Sequence, residues 1–128
     1  MKRAYVFIVF SILSCGVFAR DCNNAISQSD MNICANIAFK QSDKMLNDTF
    51  QKIISSKDLG FQKILKQAQR SWIKFRDDDC NVQSYPTREG SVQPMIYANC
   101  LKEKTDLRIA DLNKILTCEE GDLACQLH

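Results

Sequence analysis

The sequence offers little support for catalysis. Its one histidine is His128, the last residue, and a side chain at a terminus is rarely held in place. This excludes histidine-based nucleophile triads and histidine-rich zinc sites. The chain also lacks a phosphate-binding loop and a dinucleotide-binding glycine motif, and no spacing of its acids singles out a glycosidase-type carboxylate pair. We therefore predict a protein that is not an enzyme and needs no cofactor or metal.

The sequence also lacks an excess of charge of one sign. It has 17 basic and 15 acidic residues. Lys2 and Arg3 lie in a segment that we expect to be removed, and their loss leaves 15 of each, so the mature chain is neutral. Proteins that bind nucleic acids usually show a clustered excess of positive charge. The composition therefore does not favour a nucleic-acid partner.

Residues 1–19 are typical of a signal peptide. A basic start precedes Ala4–Leu13, which is almost wholly apolar but too short to span a bilayer. Val17–Ala19 suits cleavage before Arg20, which predicts a periplasmic or secreted protein. The alternative is a lipoprotein, because residues 12–15 resemble a bacterial lipobox. In that case Cys15 would carry the lipid, and only then do we expect a membrane anchor.

Cysteine is abundant, with seven in 128 residues. One of them lies in the leader, and six lie beyond it. An even set in a short exported chain predicts disulfides, because small domains bury too little apolar surface to be secure without cross-links. We predict that all six are oxidised: Cys22, Cys34, Cys80, Cys100, Cys118 and Cys125.

The rest of the chain reads as three helices. Ser27 and Asp30 resemble a capping box before a first helix over about 29–56. The second helix, which we expect to end near Gln83, has the cleanest apolar periodicity and is predicted to be the centre of the core. Its stripe consists of Phe61, Leu65, Ala68, Trp72 and Phe75.

A loop over 84–91 follows, and Pro94 fits the first turn of the third helix. One face of that helix is predicted to consist of Tyr97, Leu101, Thr105, Arg108, Leu112 and Ile115.

Short connections predict an all-α, antiparallel three-helix bundle over residues 20–117, cross-linked by disulfides, with a disulfide-closed tail over 118–128. Cys34 and Cys80 lie equally far from a turn centred on Lys57, so they should meet at one end of the bundle. Cys22 and Cys100 should reach the same end, and distance alone leaves three pairings open. We prefer the local pairs, which are Cys22–Cys34, Cys80–Cys100 and Cys118–Cys125, and Cys34–Cys80 is the main rival.

Several segments of the chain form one pattern, and residues 69–80, from Gln69 to Cys80, are its most specific part. The other segments are Asp21-Cys22, Asn32-Ile33-Cys34, Asp43 with Leu46-Asn47, Cys100-Leu101 and residues 105–108. Together, over roughly Asp21 to Leu116, they resemble the LprI-type lysozyme-inhibitor family of small exported bacterial proteins. The resemblance implies a helical, disulfide-bonded protein of the bacterial envelope or secretions. Cys118 and Cys125 are not part of the family pattern.

The polar residues of that pattern are interpreted as a structural network in which arginine side chains hold carboxylates and fix the helices. The members of the network are Asp43, Asn47, Arg76, Asp77, Thr105 and Arg108. A second group is a predicted partner-binding surface on and beside the loop, because loops on rigid scaffolds often carry binding residues. Its members are Tyr85, Arg88, Glu89, Asp77, Asp78 and Asp79.

Two classes of function follow. The first is a protein that binds and inhibits a cell-wall hydrolase such as lysozyme, although a neutral mature chain would not be steered to a basic lysozyme. The alternative is an envelope interaction module with another partner, such as an immunity protein against a periplasmic toxin or a structural envelope component.

Overall fold

The computed structural model describes residues 21–118, and this part of the chain is all-α, as predicted. Its helices are α1 (Gln28–Ser56), α2 (Leu59–Ser84) and α3 (Gln93–Thr117), with short 3-10 helices at Cys22–Asn24 and Tyr85–Thr87. No strand occurs in this range. None of its helices combines the length and apolar character that crossing a membrane requires. The predicted signal peptide and the tail beyond Cys118 lie outside the described residues.

Capping side chains set the helix starts. Ser27 Oγ accepts a hydrogen bond of 3.0 Å from the Asp30 amide at the start of α1, as predicted. Asp58 Oδ1 accepts bonds from the Gly60 and Phe61 amides at 2.8 and 3.1 Å, and so begins α2. These bonds satisfy amides that have no partner within the helix. Only residues 57 and 58 separate the first two helices, and the contact of Arg76 with Asp43 shows that α2 runs back along α1.

The three helices form the predicted bundle, with α3 packed most extensively on α1 and less on α2. The α2 and α3 helices run antiparallel, because Cys80 bonds to Cys100 while Gln69 accepts from Arg108 further along. The α1 and α3 helices therefore run in the same direction.

Two hydrophobic clusters fill the bundle. The first, here called the apolar cluster, lies toward the α1–α2 turn and consists of Leu46, Ile53, Leu65 and Leu112. Half-buried rings and aliphatic side chains surround it, namely Phe50, Ile54, Phe61, Trp72, Ile109 and Ile115. The second cluster, at the other end, is built on the Cys80–Cys100 disulfide and Leu101, with Phe39 and Tyr97 against it. We call that end the disulfide end.

The stripe predicted on α2 is partly wrong. Leu65 is buried, but Ala68 and Phe75 are exposed, and Phe75 retains 59% of its accessible surface. The buried residues of α2 are Leu65, Gln69, Arg76, Cys80 and Ser84. Polar side chains occupy this face because partners on α1 and α3 satisfy their hydrogen bonds, so apolar periodicity could not reveal it. The main helix–helix interface is accordingly α1 with α3, and α2 is not the centre of the core.

The face predicted on α3 agrees with the structure, since Leu101, Thr105 and Leu112 are buried. The buried apolar residues of α1 are Ala35, Leu46 and Ile53. Ser42 and Thr49 are also buried on α1, which apolar periodicity does not indicate.

The disulfides within the described residues are two of the preferred pairs. Cys22 bonds to Cys34 and Cys80 bonds to Cys100, each with a Cα–Cα distance of 5.6 Å. The rival pair, Cys34–Cys80, is therefore wrong. Cys118 is also disulfide-bonded, and its predicted partner Cys125 lies outside the described residues.

Candidate functional site

Arg76 joins all three helices at the centre of the bundle. The side chain is buried, and its Nη1 donates to Asp43 Oδ1 on α1 at 3.1 Å and to Thr105 Oγ1 on α3 at 3.2 Å. Its Nε donates to Asp77 Oδ1 at 2.9 Å. Asn47 Nδ2 lies 3.5 Å from Asp43 Oδ2 and extends the contacts along α1. Five of the six residues predicted as a polar network thus lie together.

Aromatic rings line the Arg76 guanidinium. Its carbon lies 5.2 Å from the centre of the Phe39 ring and 5.3 Å from that of Trp72, distances at which a cation is attracted to a ring face. The guanidinium carbon of Arg108, the sixth predicted network residue, lies 5.6 Å from the centre of the same Trp72 ring. Its Nε donates to Gln69 Oε1 at 3.1 Å, and burial lowers its pKa while Asp111 opposes this.

Gln69 is the polar residue of this cluster that the predicted network left out. The i, i+7, i+11 relation of Gln69, Arg76 and Cys80 places them on one face of α2. The sequence shows that these residues share a face, but whether that face is buried depends on partners from α1 and α3. Every buried side-chain nitrogen or oxygen in residues 21–118 has a hydrogen-bond partner.

The acidic run on α2 is compensated within the molecule. Asp77 accepts from Arg76, as described above. Asp78 Oδ2 lies 2.6 Å from Lys74 Nζ, and this bond raises the pKa of Lys74. Asp79 Oδ2 lies 2.6 Å from Lys104 Nζ and accepts from Gln83 at 2.8 Å. These hydrogen bonds lower the pKa of Asp79. The run therefore lies near a helix C-terminus without unbalanced charge, and a partner-binding role for it stays a prediction.

Tyr85 is the prominent side chain after α2. The predicted loop opens with a 3-10 helix, Tyr85–Thr87, and the Tyr85 side chain retains 61% of its accessible surface. The Arg88 guanidinium carbon lies 4.2 Å from the centre of the Tyr85 ring, and Nη1 donates to the Tyr85 carbonyl at 3.3 Å. Glu89 Oε1 lies 3.6 Å from Arg88 Nε. The structure thus brings three predicted partner-binding residues together on one exposed loop.

This loop is fixed by successive turns. The amides of Arg88, Gly90 and Gln93 donate to the carbonyls of Tyr85, Thr87 and Gly90 at 3.1, 2.9 and 3.2 Å. The Asn32 side chain of α1 also donates to the Ser91 carbonyl at 2.9 Å. Below the loop, Cys80–Cys100 joins the helices on either side of it. Such a loop loses little conformational freedom when it binds a partner.

An apolar groove of about 430 Å³ begins beside the loop, between the N-terminal halves of α1 and α3. Asn32 and Gln93 join the two features, because both line the groove and both hydrogen-bond to residues of the loop. Burial raises the pKa of Tyr97, and the charge of Asp77 adds to this effect. The remaining lining residues are Ile33, Asn36, Phe39, Pro94, Tyr97, Ala98 and Leu101. Sequence reasoning did not find this groove, because its walls come from helices distant in the chain.

The chain is similar to a described family and to a protein of known sequence. A family model described as "Lysozyme inhibitor LprI" matches residues 20–112. An uncharacterised protein of Rhizobium meliloti (strain 1021) is 35% identical over 114 residues, an alignment that covers 79% of this chain and 82% of the relative. No solved structure matches the chain.

Proposed function

The chain belongs to the lysozyme inhibitor LprI family, and from this we propose that it binds a lysozyme and inhibits it. The family match covers both described disulfides, the Arg76 contacts and the exposed loop. Disulfides of this kind persist outside the reducing cytosol, where lysozymes act on the cell wall. A protein partner therefore fits both the family and the chemistry of the chain.

The inhibitory surface that we propose is the loop over 85–91 together with the neighbouring groove. The observation that carries this proposal is the exposed Tyr85 ring held between a fixed backbone and the Arg88 guanidinium. Tyrosine and arginine are over-represented among residues that dominate protein interfaces. Because the loop is fixed in advance, association would cost little ordering entropy.

Charge around this surface is balanced within the molecule. Glu89 on the loop is almost fully exposed but lies 3.6 Å from Arg88, and Asp78 on α2 pairs with Lys74. The proposed surface therefore depends on its aromatic anchor and its fixed backbone, and not on attraction of a basic enzyme by charge.

The test is inhibition of lysozyme-catalysed cell-wall hydrolysis by the oxidised protein, measured across several lysozyme types. Tyr85→Ala should weaken inhibition by roughly thirtyfold, since truncation of a true anchor costs about 2 kcal/mol. Val82→Ala is the matched control, because Val82 is an exposed apolar residue less than one turn away on α2. It should leave inhibition unchanged, and both variants should melt close to the parent.

Two results would count against this proposal. Equal potency of Tyr85→Ala and the parent would place the inhibitory surface elsewhere, and the segment between Cys118 and Cys125 would be the next to test. Absence of inhibition by the parent across all lysozymes tested would reject the inhibitor function. The envelope interaction module with another partner would then be the better interpretation.

A further inference from the structure

Charge is distributed very unevenly along α2. Residues 59–76 contain five basic residues and no acidic one, whereas residues 77–79 are all aspartates. Two of the five basic residues are satisfied inside the molecule, since Arg76 is buried against carboxylates and Lys74 pairs with Asp78. Lys63, Lys66 and Arg70 remain.

These three cations share one helical face with an exposed leucine. Leu59, Lys63, Lys66 and Arg70 stand at i, i+4, i+7 and i+11, which places them on one side of α2 over roughly 16 Å. All four are exposed, and Leu59 retains 82% of its accessible surface. We call this set the basic face of α2.

Contacts within the described chain do not account for the basic face. Among residues 21–118, no carboxylate forms a salt bridge with Lys63, Lys66 or Arg70, and Leu59 belongs to neither hydrophobic cluster. Like charges three and four residues apart on a helix repel each other. The acid that precedes the face along the chain, Asp58, already accepts the first amides of α2. The face is therefore arranged unfavourably for the isolated protein.

We propose that the basic face of α2 binds the surface of an anionic phospholipid bilayer. In this arrangement Lys63, Lys66 and Arg70 lie over the lipid phosphates, while Leu59 enters the headgroup region at the end of the face. Charge complementarity provides the attraction, and it is reinforced by burial of an apolar side chain in the interface. This inference does not depend on lysozyme inhibition, because the basic face and the loop after α2 are separate surfaces.

The exposed leucine decides between a bilayer and a soluble polyanion. A polyphosphate or nucleic-acid backbone presents phosphates but no apolar phase, so Leu59 would contribute little to binding one. A bilayer interface supplies both. The disulfides also indicate a location outside the reducing cytosol, where envelope membranes are present.

The test is sedimentation of the exported protein with vesicles of phosphatidylcholine containing phosphatidylglycerol, and with vesicles of phosphatidylcholine alone. All proteins carry Cys15→Ser, so that no lipid chain is attached. The parent should bind the anionic vesicles, only weakly bind the neutral ones, and dissociate as salt is raised. The triple variant K63A/K66A/R70A should bind about a hundredfold more weakly, since each cation near an anionic surface contributes about fivefold.

The matched control removes the same amount of charge elsewhere. K40A/K44A/K102A takes three lysines from α1 and α3 and should bind the anionic vesicles within a few-fold of the parent. Leu59→Ser should weaken vesicle binding severalfold but should not change binding to soluble polyphosphate. Thermal melts should show that all variants are folded, because every substituted side chain is at least partly exposed.

Three results would overturn the proposal. The parent could fail to bind anionic vesicles at low salt. The triple variant and its control could lose the same affinity, which would indicate a net-charge effect. Finally, polyphosphate or DNA could bind as tightly as the vesicles with no contribution from Leu59, which would identify the face as a polyanion site.

Discussion

The two ends of the bundle are stabilised by different means. At the turn end, Leu46, Ile53 and Leu112 are almost completely buried, and apolar packing is the main interaction. At the disulfide end, Cys80–Cys100 joins α2 to α3, Cys22–Cys34 joins the preceding segment to α1, and the groove leaves part of the space between α1 and α3 unfilled. The Arg76 contacts join all three helices between this end and the apolar cluster. Covalent and polar contacts can thus hold the helices together while the loop stays exposed and the groove stays open. Close apolar packing would have filled the groove. We infer that the turn end supplies most of the folding stability, while the disulfide end keeps the proposed binding surface rigid.

The largest effect should come from the apolar cluster. Leu112→Ala should lower the free energy of unfolding by about 3–4 kcal/mol, because Leu112 is 0% exposed and its truncation leaves a cavity. Denaturant melts measure this value. Leu107→Ala is the control on the same helix, since Leu107 is exposed, and it should change stability by less than about 0.5 kcal/mol. Equal effects for the two would mean that the cluster at the turn end is not the main source of stability.

Removal of the Cys80–Cys100 disulfide should lower the free energy of unfolding slightly less than Leu112→Ala does. The cysteines are 20 residues apart, and cross-linking a loop of this length stabilises a small domain by about 3 kcal/mol. C80A/C100A should therefore unfold at lower denaturant concentration while retaining its helical circular dichroism. A loss below about 1 kcal/mol would show that the polar contacts alone hold this end.

Substitution of Arg76 should have the third-largest effect on the free energy of unfolding. Arg76→Ala removes hydrogen bonds to Asp43, Asp77 and Thr105, but both carboxylates are partly exposed and regain water. We expect a loss of about 2 kcal/mol, less than for a fully buried pair. Arg70→Ala, an exposed arginine on the same helix, should change stability by less than about 0.5 kcal/mol. If Arg76→Ala lowered the free energy of unfolding as little as Arg70→Ala does, a structural role for the network would be contradicted.

Acid should weaken the protein by the smallest amount. The hydrogen bonds from Lys104 and Gln83 lower the pKa of Asp79 in the folded state, so the unfolded chain binds more protons in acid. The stabilisation that ionised Asp79 contributes is fully present above the ordinary carboxyl pKa of about 4. It is lost as the pH falls through the lower pKa of Asp79 in the folded protein. Melts of Asp79→Asn should show a shallower acid dependence than the parent. An unchanged slope would show that Asp79 contributes nothing to it.

The sequence predicted the number of helices, their approximate ends and the two local disulfides, because capping residues and short connections are local signals. It did not predict which face of α2 is buried. Gln69 and Arg76 are buried only because Arg108, Asp43 and Thr105 approach from other helices, and a single-helix pattern contains no information about those partners. For the same reason Phe75 was expected in the core although it is exposed.

The candidate site, like the fold, was only partly predictable from the sequence. Loop composition indicated Tyr85, Arg88 and Glu89, and the structure brings these residues together. The groove could not be predicted, since it depends on how closely α1 and α3 approach beside the loop. The lysine partners of Asp78 and Asp79 were also missed. The Asp79–Lys104 salt bridge joins α2 to α3 and requires knowledge of their register, whereas Lys74 lies four residues before Asp78 on α2, a spacing that is visible in the sequence.

The most direct test of the two-end account compares inhibition by C80A/C100A and by Leu112→Ala, measured where both variants remain folded. The two substitutions should destabilise the protein to a similar degree, but only the first loosens the base of the loop. The account predicts that the parent inhibits a lysozyme, that Leu112→Ala inhibits with nearly the same potency, and that C80A/C100A is at least tenfold weaker. Equal potency of the two folded variants would contradict the claim that the disulfide end holds the inhibitory surface rigid.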